Sequence, residues 1–260
     1  MIITRIISIY FSPNGTTKEI VTKIAKGIGN HEIQEIDLNT VESRKVERNF
    51  SKDDLVIVGF PVYSDRLPRI SEEIFKNIKG NNTPTIAIVS YGNREYGDAL
   101  LELKDNLIKS GMKVISAAAI VAEHCYNKNV ATNRPDEKDD LKILDYANHI
   151  KDKIKNIITI EKLPILYVKG HSPYRPLKAN QVPTGDEKCI ECGLCKESCP
   201  VNAINESNYR LTDSDICIGC GSCINVCPTN ARAIRNEGFI LFMKKLEDIA
   251  KERKEIEVFI

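Results

Sequence analysis

Two runs of cysteine limit what this chain can fold into more than any other feature. The chain has nine cysteines, and eight of them lie in these runs. The first run is Cys189-x2-Cys192-x2-Cys195-x3-Cys199-Pro200, and the second is Cys217-x2-Cys220-x2-Cys223-x3-Cys227-Pro228. The segments Cys-Ile-Glu-Cys-Gly-Leu-Cys and Cys-Ile-Gly-Cys-Gly-Ser-Cys are two copies of one unit. A repeated unit of closely spaced thiols predicts either a metal-containing site or disulfide bonds.

Iron-sulfur clusters fit this spacing. A cuboidal cluster needs four thiolate ligands, and in this pattern the cysteine that precedes proline ligates the other cluster. We therefore assign cluster one to Cys189, Cys192, Cys195 and Cys227. We assign cluster two to Cys217, Cys220, Cys223 and Cys199. Each run thus donates one ligand to the opposite site.

Two other uses of cysteine compete with this assignment. A disulfide framework is typical of small secreted proteins, but the opening apolar segment lacks the basic leader and cleavage site of a signal peptide, and only Cys125 lies outside the runs. Zinc ribbons use Cys-x2-Cys pairs, but they need neither a third cysteine nor a trailing Cys-Pro in each half. The pattern therefore favours clusters. Residues 186–235 closely resemble bacterial ferredoxins with two [4Fe-4S] clusters.

Length and charge restrict the rest of the chain. It has 260 residues, of which about 200 lie outside the cysteine region, so we expect a second domain with its own core. The 37 basic and 36 acidic residues give a formal net charge of +1, with no excess that would attract nucleic acid or an anionic membrane. No stretch approaches the roughly 18 apolar residues of a membrane helix. We expect a soluble protein without membrane insertion, and thiolate-held clusters imply a reducing cytoplasm.

The N-terminal part alternates short β-branched runs with helical periodicity, which predicts an α/β fold with a doubly wound five-stranded parallel sheet. The predicted strands are Ile2 to Tyr10, Ile33 to Leu38, Leu55 to Gly59, Thr85 to Ser90 and Lys113 to Val121. Apolar stripes predict the helices between and after them: Ile20, Val21, Ile24 and Ile28; Ile70, Ile74 and Ile78; Leu100, Leu103 and Leu107; and Leu141, Leu144, Ala147, Ile150, Ile154 and Ile157.

In such a sheet the ligand lies beyond the carboxyl ends of the strands, where the strand order reverses. The loop after the first strand contains Ser12, Pro13, Asn14, Gly15, Thr16 and Thr17 directly before a helix. Hydroxyls, a glycine and the N-H groups of a helix N-terminus together suit a phosphate. An ordinary helix cap is the simpler alternative, because Ser and Thr are preferred there.

The loops after the third and fourth strands carry aromatic rings. One contains Pro61, Val62, Tyr63, Ser64 and Asp65, and the other contains Tyr91, Gly92, Asn93, Arg94, Tyr96 and Asp98. Such loops could enclose a planar ring between tyrosines, although single tyrosines also cover sheet edges. His124 and Cys125 follow the fifth strand at the same end, where a solvated histidine and a small buried thiol are the simpler interpretations.

These loops resemble the FMN-binding loops of flavodoxins. The usual phosphate loop is Ser/Thr-x-Thr-Gly-Asn-Thr, and Asn14 and Thr16 depart from that order here. The resemblance implies FMN contacts from all three loops, and a turn with a positive φ angle in Tyr63 to Arg66, where Asp65 replaces the usual glycine. No Gly-x-Gly-x-x-Gly follows a strand, so a dinucleotide site of the Rossmann kind is not evident.

The predicted organisation is a flavodoxin-like FMN domain in residues 1–158, a basic connector with prolines in 159–185, a two-cluster ferredoxin domain in 186–235 and an amphipathic helix in 236–260, running through Lys254. Nearly the full length resembles the fused flavodoxin-ferredoxin proteins of anaerobic bacteria and archaea. That resemblance implies an electron carrier that exchanges electrons among two [4Fe-4S] clusters, FMN and redox partner proteins. An FMN-dependent reductase of a quinone, nitro compound or enone is the main alternative, and a redox or oxygen sensor is a third.

Overall fold

A computed structural model gives the fold and describes residues 3–29, 32–178 and 181–260. Residue Ile2, where the first strand was predicted to begin, lies outside the described residues, as do residues 179–180 of the connector. The strands are β1 Arg5–Tyr10, β2 Ile33–Asp37, β3 Arg48–Phe50, β4 Asp54–Pro61, β5 Ile78–Gly80, β6 Thr83–Tyr91, β7 Met112–Val121, β8 Thr184–Gly185, β9 Arg232–Ala233 and β10 Glu257–Phe259.

The helices alternate with the strands in the first part of the chain and are short in the cysteine region. They are α1 Thr16–Ile28, α2 Val41–Lys45, α3 Ser71–Lys76, α4 Ala99–Lys109, α5 Glu137–Asn156, α6 Leu194–Glu197, α7 Ser222–Asn225 and α8 Glu237–Ile249. A 3-10 turn follows α5 at Ile160–Lys162. None of the helices in the described residues combines the length and the apolar character that crossing a membrane requires.

The main sheet has the strand order β10-β7-β6-β4-β1-β2. Its five strands from β7 to β2 are parallel, and β10 is antiparallel to β7. This is the flavodoxin-like doubly wound sheet that the sequence predicted, with one antiparallel strand added at its edge. The strand order reverses at β1, between β2 and β4, so a ligand crevice is expected beyond the carboxyl ends of β1 and β4.

The central strands are buried because helices cover both faces of the sheet. Every residue of β6 is buried, and so are all residues of β4 except the last. Continuous apolar runs of this kind are typical of parallel strands that pack on both sides. One core lies between the sheet and the helices α3 and α4, and a second lies between the sheet and the helices α1 and α5.

Helix α5 packs against α1 with a face that differs in part from the predicted stripe. Ile143, Tyr146 and Ala147 are buried, whereas Leu141 is 70% and Leu144 is 50% exposed. The prediction of Leu141 and Leu144 as core residues was therefore wrong. The helix begins at a capping box in which Asp136 accepts hydrogen bonds from backbone N-H groups of the first turn.

The C-terminal segment corrects the prediction of a helix through Lys254. Helix α8 ends at Ile249, and the chain then runs to β10, which pairs with β7. Asn93 fixes this course, because its side chain donates to the carbonyls of Ala250 and Glu252 at 2.7 and 2.8 Å. Of the predicted apolar stripe of α8, Leu246 is buried, but Ile249 is 51% exposed.

The cysteine region keeps the internal repeat at the level of the backbone. Positive φ angles recur at three pairs of equivalent positions: Glu191 and Gly219, Gly193 and Gly221, and Asn202 and Asn230. Each run contains a one-turn helix that begins one residue before its third cysteine. This helix is α6 in the first run and α7 in the second. Strands β8 and β9 pair with each other and bring the ends of the region together.

Candidate functional site

A cleft that is open to solvent lies at the carboxyl ends of the central strands. Its volume, including the space at its open mouth, is about 710 Å³. The loops after β1, β4, β6 and β7 line it. The predicted site residues that the cleft brings together are Ser12, Asn14, Thr16, Thr17, Pro61, Val62, Tyr63, Ser64, Asp65, Tyr91, Gly92 and Arg94.

The loop after β1 offers backbone N-H groups to the cleft. Two of its predicted hydroxyls have internal partners: Ser12 Oγ accepts from the N-H of Lys18 at 3.0 Å, and Thr17 Oγ1 lies 2.7 Å from Ser90 Oγ. Within the described residues, the N-H groups of Thr16 and Thr17 find no acceptor. Unpaired N-H groups in the first turn of a thirteen-residue helix are the donors that a phosphate uses, so this loop fits the phosphate of FMN.

The loop after β4 makes the turn that the flavodoxin resemblance implied. Ser64 and Asp65 have φ angles of 50° and 72°, and the flanking Tyr63 and Arg66 exchange backbone hydrogen bonds of 2.9 and 3.2 Å. Positive φ at both central residues is the signature of a type I′ turn. The Asp65 side chain is buried and pairs with Arg94 and Lys178, which holds the turn against its backbone strain.

Tyr63 has a hydroxyl that the described residues leave unpaired. The oxygen is buried and makes no hydrogen bond. Burial, together with the neighbouring Cys220, Cys125 and Tyr126, raises the pKa of Tyr63 well above its usual value, so the hydroxyl stays protonated and able to donate. A buried donor without an acceptor is costly, which fits a site that a bound group completes.

Four predicted FMN contacts lie elsewhere. Gly15 stands in the phosphate loop but does not line the cleft, and Asn93 binds the C-terminal segment. Tyr96 is buried in the core, and its hydroxyl donates to Glu257 at 2.6 Å. Asp98 is fully buried and accepts from the backbone N-H groups of His171 and Arg175 in the connector. Asn93, Tyr96 and Asp98 therefore hold distant segments of the chain. They do not line the cleft.

His124 and Cys125 line the cleft, although no FMN contact was assigned to them from the sequence. Burial, with Arg94 and Lys128 adding to it, lowers the pKa of His124 to about 4, so the ring is neutral at pH 7. Its Nδ1 accepts from the N-H groups of Tyr126 and Asn127 at 3.2 Å each. The ring proton is therefore on Nε2. The position after β7, at the same edge as the other loops, was the sequence signal for these residues.

The thiol of Cys199 lies within electrostatic reach of three thiols of the second run, and the assignment of these four cysteines to cluster two stays a prediction. Burial raises the pKa of Cys217, Cys220 and Cys223, and the thiol of Cys199 adds to the rise in each case. Cys199 of the first run therefore lies among the thiols of the second run. It also accepts a hydrogen bond from the N-H of Ala203 at 3.2 Å, a contact that suits a thiolate ligand. The reciprocal placement of Cys227 at cluster one stays a prediction.

The two cluster sites differ in exposure. Cys217, Cys220 and Cys223 are buried, whereas Cys192 is exposed and Cys189 is half-buried. In the described residues, no three His, Cys, Asp or Glu side chains form a group that could hold a single metal ion. In the proposed clusters each thiolate binds its own iron corner.

The second cysteine run packs directly on the edge of the cleft. Asn14 of the phosphate loop donates to the carbonyl of Cys220 at 2.8 Å, and Ser222 Oγ donates to the carbonyl of Pro13 at 3.0 Å. Beside the loop after β7, the Tyr126 hydroxyl donates to the carbonyl of Gly219. The second cysteine run and the loops after β1 and β7 therefore form one hydrogen-bonded unit.

Comparison with protein families agrees with these two sites. A family model described as a flavodoxin domain matches residues 7–126, and one described as a 4Fe-4S dicluster domain matches residues 179–235. The chain is thus an electron-transfer flavo-iron-sulfur protein. The order of the two matched domains is that of a fused flavodoxin-ferredoxin protein. No curated protein matches it.

Solved structures match the flavodoxin part of the chain. A flavodoxin from the domain Archaea is 20% identical with a TM-score of 0.40, and the match covers 58% of this chain and 99% of that one. Flavodoxin 2 from Bacillus cereus is 19% identical with a TM-score of 0.42, covering 57% and 99%. Rubredoxin oxygen:oxidoreductase from the anaerobe Desulfovibrio gigas is 17% identical with a TM-score of 0.42, covering 59% and 37%.

Proposed function

We propose that the chain relays electrons between two [4Fe-4S] clusters and FMN, and exchanges them with a redox partner protein in the cytoplasm. The observation that carries this proposal is the contact between the loop of Cys220 and the phosphate loop at Asn14. Because tunnelling between cofactors needs short separations, a cluster held by the second run is placed to exchange electrons with a flavin in the adjacent cleft. The clusters supply one-electron chemistry, and FMN supplies one- or two-electron chemistry.

The exposure of the cysteines supports an order of cofactors. The buried second run faces the cleft, and the first run carries the exposed Cys192. A partner protein can therefore approach cluster one more closely than cluster two. The proposed route is partner, cluster one, cluster two and FMN, in either direction.

The roles of the chain's own residues follow from the site. Thr16 and Thr17 offer N-H donors to the phosphate. Asp65 holds its loop in the turn conformation, and neutral His124 presents Nε2-H at the cleft. The eight cysteines of the two runs hold the clusters.

The test is an anaerobic redox titration of the purified full chain, followed by EPR and visible spectra. We expect about eight iron, about eight sulfide and one FMN per chain, because the runs complete two four-iron sites only by exchanging their Cys-Pro ligands. Cys199→Ser should perturb the cluster of the second run, and Cys227→Ser the cluster of the first. Stoichiometric zinc with no iron-sulfur signal on reduction would contradict the proposal.

One observation favours a reductase as a second candidate. Tyr96, which was predicted to cover the flavin, is instead buried and bonded to Glu257, and the cleft mouth is open. A small acceptor would therefore not meet the Tyr96 ring on its way in. With excess dithionite as the electron source, the protein should then reduce many equivalents of a quinone, a nitro compound or an enone anaerobically, faster than dithionite alone does. A rate equal to that of dithionite alone with each acceptor would leave only the carrier function.

A further inference from the structure

Arg44 in α2 is a buried cation with no anionic partner in the described part of the chain. Its residue exposure is 5%. A guanidinium in this position is costly unless an opposite charge compensates it. The buried Arg134 shows the usual arrangement, because it pairs with the carboxylate of Asp139.

The hydrogen bonds of Arg44 go to neutral carbonyl oxygens. Nη1 donates to the carbonyls of Leu38 and Asn39 at 2.9 and 3.1 Å, and Nη2 donates to the carbonyl of Pro200 at 2.6 Å. These three bonds go to neutral acceptors, and no described carboxylate forms an ion pair with Arg44, although Glu73 and Glu42 act on it from a distance. Among the described residues, no negatively charged group therefore contacts the Arg44 guanidinium.

The position of Arg44 shows where a counter-charge would come from. Pro200 directly follows Cys199, the first-run cysteine that lies among the thiols of the second run. The charges that act on Arg44 are those of Glu73, Glu42 and the thiolate of Cys199. A cluster with four thiolate ligands carries net negative charge, and one-electron reduction makes it more negative.

We propose that Arg44 is the counter-charge of cluster two, supplied by the flavodoxin domain to stabilise the reduced state of that cluster. This inference rests on the proposed function, because it requires that cluster two is bound. Burial in a low-dielectric site opposes the extra negative charge of a reduced cluster and lowers its reduction potential. A fixed positive charge at the same site offsets that effect.

The effect of Arg44 is specific to one cluster. The two runs share positive φ angles at equivalent positions but differ in exposure, because the cysteines of the second run are more buried. Arg232, which is buried between them, acts on thiols of both runs, namely Cys195, Cys217 and Cys223. Arg44 acts on Cys199 and comes from outside the repeat. It therefore favours cluster two over cluster one as the site of the electron, next to the flavin cleft.

The test is an EPR-monitored redox titration of the anaerobic full chain carrying clusters and FMN. In Arg44→Gln, the ratio of reduced to oxidised cluster two at a fixed potential should fall about tenfold, which is 59 mV for one electron. Cluster one should keep its potential and serves as the internal reference. The signal that changes in Cys223→Ser identifies cluster two.

Three variants separate charge from structure. Arg44→Lys keeps the charge and should restore most of the potential. Arg48→Gln removes a nearby guanidinium that binds the carbonyls of Ser43 and Val46 and the hydroxyl of Ser43, and it should leave both clusters unchanged. Asn225→Ala removes hydrogen bonds to Asn14 and Cys125 without removing a charge, and should also leave both potentials unchanged.

The outcomes distinguish this inference from the proposed function. A wild-type chain with one cluster or no FMN would overturn the proposed function. A fully loaded Arg44→Gln protein with an unshifted cluster two would overturn this inference alone, and so would an equal shift in Asn225→Ala or Arg48→Gln. If Arg44→Gln fails to load cluster two, Arg44→Lys decides: loading supports the charge role, and failure refutes it.

Discussion

Tyr63 carries a buried hydroxyl that has no partner among the described residues, and bound FMN is the group best placed to accept from it because the side chain lines the cleft. Tyr63→Phe should weaken FMN binding about three- to tenfold, the worth of one net hydrogen bond. Titration of FMN into flavin-free protein measures this by fluorescence.

The matched control is Tyr96→Phe. It removes a hydroxyl that already has a partner, Glu257, outside the cleft. It should lower thermal stability and leave the FMN affinity unchanged. Equal FMN affinities in the wild type and Tyr63→Phe would show that the hydroxyl does not serve the flavin.

His124 should make stability depend on pH. Burial lowers its pKa from 6.5 to about 4, so the unfolded chain takes up a proton at higher pH than the folded chain. The stabilisation from the neutral ring is complete above about pH 6.5 and is lost as the pH falls towards 4. At pH 5 the loss is about 2 kcal/mol.

Thermal melting at pH 7 and pH 5 checks this prediction. His124→Gln should lose less stability between the two pH values than the wild type, because it has no proton to bind. His149→Gln, a change at an exposed histidine of α5, should behave like the wild type. The same pH response in His124→Gln and the wild type would contradict the buried neutral ring.

At the scale of elements, the loop before α1 decides which flavin binds. FMN should bind more tightly than riboflavin, because the N-H groups of Thr16 and Thr17 lack acceptors at a helix N-terminus. Gly15 has a φ angle of 87°, which costs a residue with a side chain about 1 kcal/mol. Gly15→Ala should therefore distort the first turn and reduce the preference for FMN.

Calorimetric titration with both ligands measures this preference. Riboflavin is the internal control, because it shares the ring and lacks the phosphate. Equal affinity of the wild type for FMN and riboflavin would mean that the loop is only a helix cap.

The strands and helices also show how much of the fold could be predicted from the sequence. All five parallel strands were predicted within three residues of their bounds in the described chain. This was possible because short, apolar, β-branched runs indicate buried strands. The course after Ile249 was not predicted, since a Lys- and Glu-rich segment has helical propensity and its pairing with β7 depends on residues more than 130 positions away.

The residues of the candidate site also differ in whether their roles could be predicted from the sequence. The cysteine spacing indicated cluster ligands because a cuboidal cluster needs closely spaced thiolates, and the turn at Asp65 was predicted from the resemblance to flavodoxins. The roles of Asn93, Tyr96 and Asp98 could not, because their partners lie in the connector and the C-terminal segment. A polar residue in a cleft loop looks the same in sequence whether it faces a ligand or a distant backbone.

For the whole molecule, the contact between the domains is the feature on which a relay depends. Asn225 bridges them, since its Nδ2 donates to Asn14 Oδ1 at 2.8 Å and to the carbonyl of Cys125 at 3.3 Å. The residue ligates nothing and lies outside the cleft lining, so Asn225→Ala should bind iron, sulfide and FMN normally. It should nevertheless loosen the docking of the second run on the phosphate loop.

We therefore expect Asn225→Ala to slow electron transfer between the clusters and FMN while cofactor content and reduction potentials stay unchanged. Stopped-flow mixing with limiting dithionite, followed at the absorbance of oxidised flavin, measures the rate. Asn208→Ala is the control, because Asn208 Oδ1 accepts only from the nearby N-H of Arg210. A rate that is unchanged in Asn225→Ala would mean that this hydrogen-bonded contact does not set the distance between cluster two and the flavin.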